Sequence, residues 1–202
     1  MRTEDLTNNS EYNITEESMH PKKVIQLSYL ITVIFAVLYT VIYIFLRFGG
    51  DTESSIANIF VTIFKPSFLL EFFILMFFAF LFMGAGLFVK AALLARHCDN
   101  KWSGLKFKLV RGIEKPYCLT RQPVTIKQYM IAVFAYVFIV AFVPYIIAFI
   151  VGDFMFVFAS FITVIWASGD ILMLIRLRKK NRDDYILDLD CALLYKIYSK
   201  KK

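Results

Sequence analysis

Four long apolar runs constrain the fold of this 202-residue chain more than any other feature. They cover about residues 24–48, 68–95, 129–151 and 154–175. Each is long enough to cross a hydrocarbon core of about 30 Å at a rise of about 1.5 Å per residue. Because backbone groups in lipid must satisfy one another, such runs have to be helical. We therefore predict an all-α polytopic membrane protein with four transmembrane helices.

The composition supports a membrane protein and argues against a nucleic-acid-binding one. Hydrophobic residues make up 59% of the chain, against about 45–50% in a typical soluble domain. The net charge of +7 is compatible with nucleic acid, but the cations lie beside the apolar runs. That placement is typical of cytoplasmic loops and of contact with anionic headgroups. The predicted partner is thus membrane lipid, and no nucleic acid is expected.

The distribution of cations predicts the orientation in the membrane. The loop 96–128 has eight basic and two acidic residues, and the tail 176–202 has nine basic and four acidic ones. Lys22 and Lys23 directly precede the first apolar run. Since Lys and Arg near span ends favour the cytoplasmic side, both termini and the loop 96–128 are expected there. We predict a multi-pass protein of the cell membrane with both termini cytoplasmic.

The loop between the second and third apolar runs carries a strand pattern. Apolar residues alternate with lysines from Leu105 to Leu109, which is the period of a strand with one apolar face. Glu114-Lys115-Pro116 interrupts the pattern, and a second short segment, 117–120, follows. We predict a small cytoplasmic β-hairpin between the second and third helices.

Two ionisable residues lie deep in the predicted spans. Asp170 is six residues before Arg176, and Lys90 is six residues before Arg96, so both are at similar depth. A charge in the membrane costs roughly 2.5–3.5 kcal/mol on insertion scales, and pairing the two would offset part of it. Thr163 shares the helix face of Asp170 and completes a candidate polar membrane site. Alternatively, Lys90 extends to the headgroups and Asp170 meets hydroxyls or water.

Several short motifs resemble a known family. The order of elements is similar to that of a bacterial family of membrane zincin peptidases, a domain of unknown function related to the site-2 proteases. The resemblance covers about residues 70 to 195. It rests on GLFVK at 86–90, LKF at 105–107, PYC at 116–118, QPVTIKQY at 122–129 and SGD at 168–170.

The resemblance implies a zinc site that this sequence lacks. In the family, H-E-x-x-H precedes the segment that corresponds to GLFVK, and the aspartate of the Gly-Asp pair is the expected third ligand. The motif positions fall on Leu81, Phe82 and Ala85, none of which can bind a metal. The chain has only two histidines, His20 and His97, and neither lies in a span. We expect no catalytic residue, no metal and no cofactor.

The resemblance also divides the chain into segments. Residues 1–23 form an acidic cytoplasmic segment whose composition favours disorder. Residues 24–48 are the first transmembrane anchor, and residues 68–195 are the zincin-peptidase-like membrane domain. Residues 196–202 form a basic carboxyl-terminal end.

Three functions fit these observations. The leading hypothesis is a pseudoenzyme, a non-catalytic scaffold or binding protein for another membrane protein or a transmembrane peptide. The second is an active membrane metallopeptidase or hydrolase with a non-standard site, for example Cys98 with His97. The third is a small transporter or ion-handling protein that uses Asp170 and Lys90.

Overall fold

Four long apolar helices form most of the structure, which is a computed structural model. They are α1 (Pro21–Phe48), α2 (Phe68–His97), a third helix over Ile126–Val151 and α5 (Phe154–Leu177), and each is long and apolar enough to cross a membrane. The four helices predicted from the sequence are confirmed. The structure describes residues 12–17, 21–49, 53, 57, 61, 65–109, 116–152, 154–189 and 195–200.

The third helix changes its winding near its middle. It consists of α3 (Ile126–Val137), a π-helical turn (Phe138–Phe142) and α4 (Val143–Val151). Pro144 lies in the first turn of α4. A proline ring crowds the carbonyl four residues earlier and cannot donate a backbone hydrogen bond. The wider π turn accommodates it without ending the helix.

A four-stranded antiparallel sheet joins the two ends of the chain. Its order is β1 (Tyr12–Glu17), β6 (Tyr195–Lys200), β5 (Tyr185–Asp188) and β4 (Val124–Thr125). The all-α prediction misses this sheet. The predicted disorder of the amino-terminal segment also does not apply to β1, and the rest of the segment up to residue 20 lies outside the described residues. The boundary predicted after residue 195 falls inside β6.

Charged side chains hold β1 against the rest of the sheet. Glu16 pairs with Lys196 at 2.6 Å, and Glu17 pairs with Lys180. The hydroxyl of Tyr195 also donates to Glu17 at 3.0 Å. Glu16 and Glu17, which belong to the acidic amino-terminal segment, therefore serve as partners for lysines of the basic carboxyl-terminal tail.

A two-stranded antiparallel sheet lies in the chain between α2 and α3. It pairs β2 (Leu105–Leu109) with β3 (Pro116–Thr120), with Leu105 opposite Thr120 and Leu109 opposite Pro116. Its connection, residues 110–115, lies outside the described residues. A 3₁₀ turn, Lys101–Gly104, links α2 to β2.

The described residues fall into two compact units. The first comprises those within 1–27, 87–136 and 169–202, and the second those within 28–86 and 137–168. The first unit contains both sheets and the helix segments next to them. The second contains the remaining parts of the four helices.

Tyrosines join α1 to the third helix within the second unit. The hydroxyl of Tyr39 donates to the carbonyl of Ala141 at 3.1 Å, and the hydroxyl of Tyr145 donates to the carbonyl of Tyr39 at 3.1 Å. The two tyrosine rings stack with centroids 3.8 Å apart. The hydroxyl of Tyr43 donates to the carbonyl of Gly152 at 2.8 Å. These bonds satisfy polar groups that would be costly to leave unpaired in an apolar environment.

Gly152 ends α4 in a conformation that favours glycine. Its φ is +73°, in the left-handed region, and its amide donates to the carbonyl of Ala148 at 2.9 Å. A Cβ added there would lie 2.8 Å from the guanidinium carbon of Arg47. The position therefore has both a backbone and a packing reason to lack a side chain.

We expect Gly152→Ala to lower the free energy of unfolding by about 1–2 kcal/mol because of the left-handed backbone. Gly84→Ala is the matched control, since a Cβ at Gly84 meets nothing within 4 Å. It should be neutral or slightly stabilising. Thermal unfolding of the two variants in detergent measures the difference, and equal losses would contradict the proposed role of Gly152.

Candidate functional site

A buried ion pair lies at the centre of the first unit. Nζ of Lys90, on α2, is 2.8 Å from Oδ1 of Asp170, on α5, and each side chain is 2% exposed. These are the two ionisable residues that the sequence places at similar depth in their apolar runs, since each lies six residues before an arginine at the end of its run. Because each charge neutralises the other, the pair lowers the cost of removing both from water.

Aromatic rings surround the ammonium group of Lys90. Its Nζ lies 4.4 Å from the ring centroid of Tyr117 on β3, and 5.9 Å and 5.6 Å from those of Tyr129 and Tyr136 on α3. The hydroxyl of Tyr117 donates to Oδ1 of Asp170 at 3.1 Å. The face of an aromatic ring attracts a cation, and more strongly away from water. The rings therefore add to the attraction that Asp170 exerts on the ammonium group.

A second carboxylate belongs to the same network. Asp188, at the end of β5, accepts a hydrogen bond from the Tyr129 hydroxyl at 2.9 Å and one from the Thr120 amide at 3.3 Å. The positive charge of Lys90 also favours the ionised form of the Asp188 carboxyl group. We call this set the polar cluster, and its members are Lys90, Tyr117, Tyr129, Tyr136, Asp170 and Asp188.

Burial shifts the acid–base properties of two members of the polar cluster. It raises the pKa of Asp188 to about 6, although the charge of Lys90 and the hydrogen bonds from Tyr129 and Thr120 act in the opposite direction. The pKa of Tyr117 lies well above its usual value because of burial and the nearby charge of Asp170. Tyr117 therefore remains a hydrogen-bond donor, while Asp188 is close to its midpoint in mildly acidic solution.

Sequence reasoning singles out Lys90 and Asp170 and misses the other four members of the polar cluster. A signal for three of them is present, because Tyr117 and Tyr129 lie within the PYC and QPVTIKQY segments that carry the family resemblance, and Asp188 lies in ILDLD at 186–190, which also resembles the family. Tyr136 has no comparable local signal, and tertiary structure alone brings it to the site.

The other predicted site residues lie in the second unit. Thr163 is buried, and its hydroxyl donates to the carbonyl of Ser160, one turn earlier on α5, at 2.8 Å. Leu81 and Ala85 are exposed, and Phe82 is half-buried. Thr163 thus has a hydrogen bond within its own helix, and the three positions of the degenerate motif present only hydrocarbon.

The donor set does not fit the zinc ion that the family resemblance implies. Among the described residues there is no group of three or more His, Cys, Asp or Glu side chains that could hold a metal. Asp170 interacts with an ammonium and a phenol. Leu81 and Ala85 stand where the resemblance implies its two histidine co-ligands, and Phe82 stands where it implies the glutamate base. One carboxylate already paired with a cation is a poor ligand for a divalent metal.

The cysteines of the described region are not activated for catalysis. Cys98 and Cys118 are buried free thiols. Burial raises the pKa of Cys118 to about 11, and burial together with Asp99 raises the pKa of Cys98. Since the thiolate is the nucleophile and the metal ligand, neither is suited to the hydrolase hypothesis. Cys191 lies outside the described residues.

The second unit contains an apolar cavity of about 350 Å³. Its walls come from α2, α4 and α5 and include Phe82, Ala159 and Pro144. Thr163 is the one residue with a polar side chain among those that line it, and its hydroxyl bonds to its own helix. Such a cavity is suited to an apolar group without charge or hydrogen-bonding requirements.

The raised pKa of Asp188 predicts how stability depends on pH. Between its ordinary pKa of 3.8 and about 6, the folded protein binds a proton that the unfolded chain has lost, so stability falls as the pH rises through this window. Asp188→Asn keeps one acceptor oxygen, which can serve the Tyr129 hydroxyl, loses the acceptor of the Thr120 amide, and removes this titration. Thermal unfolding at a series of pH values should show the variant gaining stability relative to the original protein from about pH 4 to about pH 6. A difference that does not change with pH would contradict the assignment.

Comparison with known proteins identifies the region that contains most of the polar cluster. Residues 88–185, a little under half of the chain, match the model of a family described as "Putative zincin peptidase". Neither the curated proteins nor the solved structures give a match. The matched range includes Lys90 and Asp170 and begins just after Ala85, the last position of the degenerate motif. This match supports the resemblance to a zincin-peptidase-like family that the sequence motifs indicate.

Proposed function

We propose that this chain is a multi-pass protein of the cell membrane that keeps a zincin-peptidase-like domain without its zinc site and works by binding a membrane partner. The Lys90–Asp170 pair carries the proposal. The carboxylate that would bind the metal in the family is 2.8 Å from an ammonium group instead.

Electrostatics makes the lysine and a zinc ion alternatives. A divalent cation bound to Asp170 would lie within a few ångströms of the ammonium, and like charges that close repel strongly where water is scarce. Lys90 already supplies the positive charge that the buried carboxylate requires. In this interpretation the lysine has taken the charge-balancing role of the metal but not its ability to activate water.

The apolar cavity of the second unit supports a binding role. It has the chemistry of a site for apolar side chains of a transmembrane peptide or of another membrane protein. Many side chains on the surfaces of α1 and α2, including Phe73, Phe77 and Val37, are more than half exposed. Lipid or a partner helix would cover them.

Charge placement supports the proposed orientation. The sequence between the second and third helices, 96–128, contains eight basic residues, and the tail 176–202, with nine, follows the fourth helix. Both segments belong on the cytoplasmic side by the positive-inside rule. Both β-sheets then lie on that side.

Metal analysis of the purified protein, combined with a cleavage assay on a fluorescent transmembrane peptide, tests the absence of metallopeptidase activity. We expect zinc well below one equivalent per chain and an intact peptide, because the described residues contain no group of three or more side chains that could hold a metal. One equivalent of zinc that Asp170→Ala removes, together with peptide cleavage, would overturn the proposal.

The same peptide tests binding. Ala159→Phe should fill part of the cavity and weaken the association, as measured by energy transfer to the labelled peptide in lipid nanodiscs. Ala85→Phe is the matched control, because it makes the same change at an exposed position of the second unit. Equal affinity of all three proteins for the peptide would rule out the cavity as the binding site.

Removing either partner of the Lys90–Asp170 pair should destabilise the protein, and removing the lysine should cost more than removing the charge of the aspartate. Lys90→Met leaves a buried carboxylate without its cation and should cost about 3–5 kcal/mol. Asp170→Asn should cost less, because three tyrosine rings still face the lysine. The double variant should recover part of the loss. Unfolding of all four proteins in detergent measures the coupling, and strictly additive losses would contradict the pair.

A further inference from the structure

The carboxylate of Glu17, at the end of β1, is held by side chains from the carboxyl-terminal part of the chain. It pairs with the ammonium group of Lys180 and accepts a hydrogen bond from the hydroxyl of Tyr195 at 3.0 Å. The positive charge of Arg176 also acts on it. We call Arg176, Lys180 and Tyr195 the anion site, because all three groups favour a negatively charged partner.

The anion site is partly shielded from water. Tyr195 is buried and Arg176 is half-buried, while the side chains of Lys180 and Glu17 are 35% and 20% exposed. The pKa of Glu17 lies below its ordinary value, because Lys180, Tyr195 and Arg176 together outweigh the partial burial that alone would raise it. The site therefore holds the carboxylate in its ionised form.

Glu17 leaves the anion site incompletely satisfied. One guanidinium nitrogen of Arg176, Nη1, is buried and has no hydrogen-bond partner among the described residues. A buried donor without an acceptor is costly. In addition, two cations act on a single carboxylate. A phosphate group has more acceptor oxygens than a carboxylate and can serve Arg176, Lys180 and Tyr195 together. The chemistry of the site therefore suits a phosphate better than the carboxylate it holds.

The anion site lies where the fourth apolar helix ends. Arg176 is in the last turn of α5, and Lys180 lies three residues beyond the end of that helix. The segment 176–182 contains five basic residues and no acidic one. Asp184, just beyond it, accepts a hydrogen bond from the hydroxyl of Ser199 at 2.7 Å. Basic segments directly after a transmembrane helix are typical of contact with anionic headgroups.

β1 can leave the anion site without breaking any other strand pair. It is the outermost strand of the four-stranded sheet and pairs on one side only, with β6. Its residues 13–16 are exposed. Its other ion pair, between Glu16 and Lys196, lies at the surface, where such pairs contribute little to stability. An edge strand of this kind opens at a lower free energy than the interior of a sheet.

We propose that the anion site binds the phosphate of an anionic phospholipid of the cytoplasmic leaflet, and that Glu17 is an internal ligand which this phosphate displaces. Lipid binding then releases β1 from the edge of the sheet, so the two states exclude each other. The position at the end of α5 favours a headgroup over a soluble phosphate. The inference rests on the proposed membrane insertion and orientation and adds a lipid class and a site to them.

Hydrogen exchange of β1 tests the displacement. In nanodiscs of phosphatidylcholine, the β1 amides that pair with β6 should be protected. Phosphatidylglycerol should make them exchange several-fold faster, while β5, inside the sheet, stays protected. Exchange of β1 that does not depend on the lipid would contradict the displacement.

Glu17→Gln tests the role of the internal ligand. The variant removes the charge that competes with the lipid, so protein extracted from mixed phosphatidylcholine–phosphatidylglycerol membranes should retain several-fold more phosphatidylglycerol. Glu16→Gln is the matched control, because it makes the same change on the same strand at a carboxylate that pairs with Lys196 instead of the anion site. It should retain as much as the original protein, and equal gains in both variants would overturn the inference.

The cations of the anion site are tested in the Glu17→Gln protein. Adding Arg176→Gln and Lys180→Gln should remove the gain in retained phosphatidylglycerol. Arg178→Gln with Lys179→Gln is the matched control, since it removes the same charge from exposed neighbouring positions, and it should keep the gain. Equal losses in the two proteins would mean that the lipid follows the net charge and not the site.

Soluble phosphate distinguishes the two sources of the ligand. Inorganic phosphate added to the protein in phosphatidylcholine nanodiscs should leave β1 protected from hydrogen exchange. If it releases β1 as strongly as phosphatidylglycerol does, the ligand is a soluble phosphate compound and the proposed lipid is wrong.

A separate measurement checks the membrane insertion on which the inference rests. The chain has only two tryptophans, so Trp102→Phe leaves Trp166, on α5, as the only one. Lipids brominated deep in the acyl chain should quench its fluorescence. If they do not, the insertion assumed by the proposed function is wrong. If they do, and β1 exchange and lipid retention show no effect, only the anion-site inference is wrong.

Discussion

The ion pair between Lys90 and Asp170 is the constraint on which the first unit depends. Two charges 2.8 Å apart and almost completely buried are tolerable only if each remains paired and their other polar neighbours are in place. Those neighbours come from different parts of the chain, since Tyr117 belongs to β3 and the other two rings to α3. Satisfying the pair thus requires β3 to pack against α2.

Asp188 extends this constraint to the sheet that joins the chain ends. Its bonds to Tyr129 and to the amide of Thr120 attach β5 to α3 and β3. β6 then pairs with β5, and β1 with β6. With one lysine and two carboxylates, the polar cluster carries a formal negative charge when Asp188 is ionised and is neutral when it is protonated. The raised pKa of Asp188, about 6, reflects its burial beside a carboxylate whose cation is already paired.

The sequence predicts those features that depend on local composition. The apolar runs predict the four helices, and the alternation of apolar residues with lysines predicts β2. Lys90 and Asp170 lie equally far from Arg96 and Arg176, which predicts that they reach similar depth in their helices. The four-stranded sheet is not predicted because two of its three strand pairings, β1 with β6 and β4 with β5, are distant in sequence, and because β4 has only two residues. The tyrosines around Lys90 escape for another reason. Tyr129 and Tyr136 count as apolar residues of the third apolar run, Tyr117 lies in a loop, and only the fold shows that the three rings surround a cation.

Replacement of a metal by an ammonium changes what a buried carboxylate can do. A zinc ion with a free coordination position lowers the pKa of a bound water and so creates a nucleophile. An ammonium has three protons and no position for a water ligand, so it balances the charge of Asp170 without generating chemistry. If Lys90 has taken the place of the metal, as we propose, the motif positions no longer need ligands and can carry hydrocarbon side chains. Phe82, at one of them, lines an apolar cavity. Under the proposed function, selection then acts on the surfaces of the protein and on the cavity, instead of on a reaction.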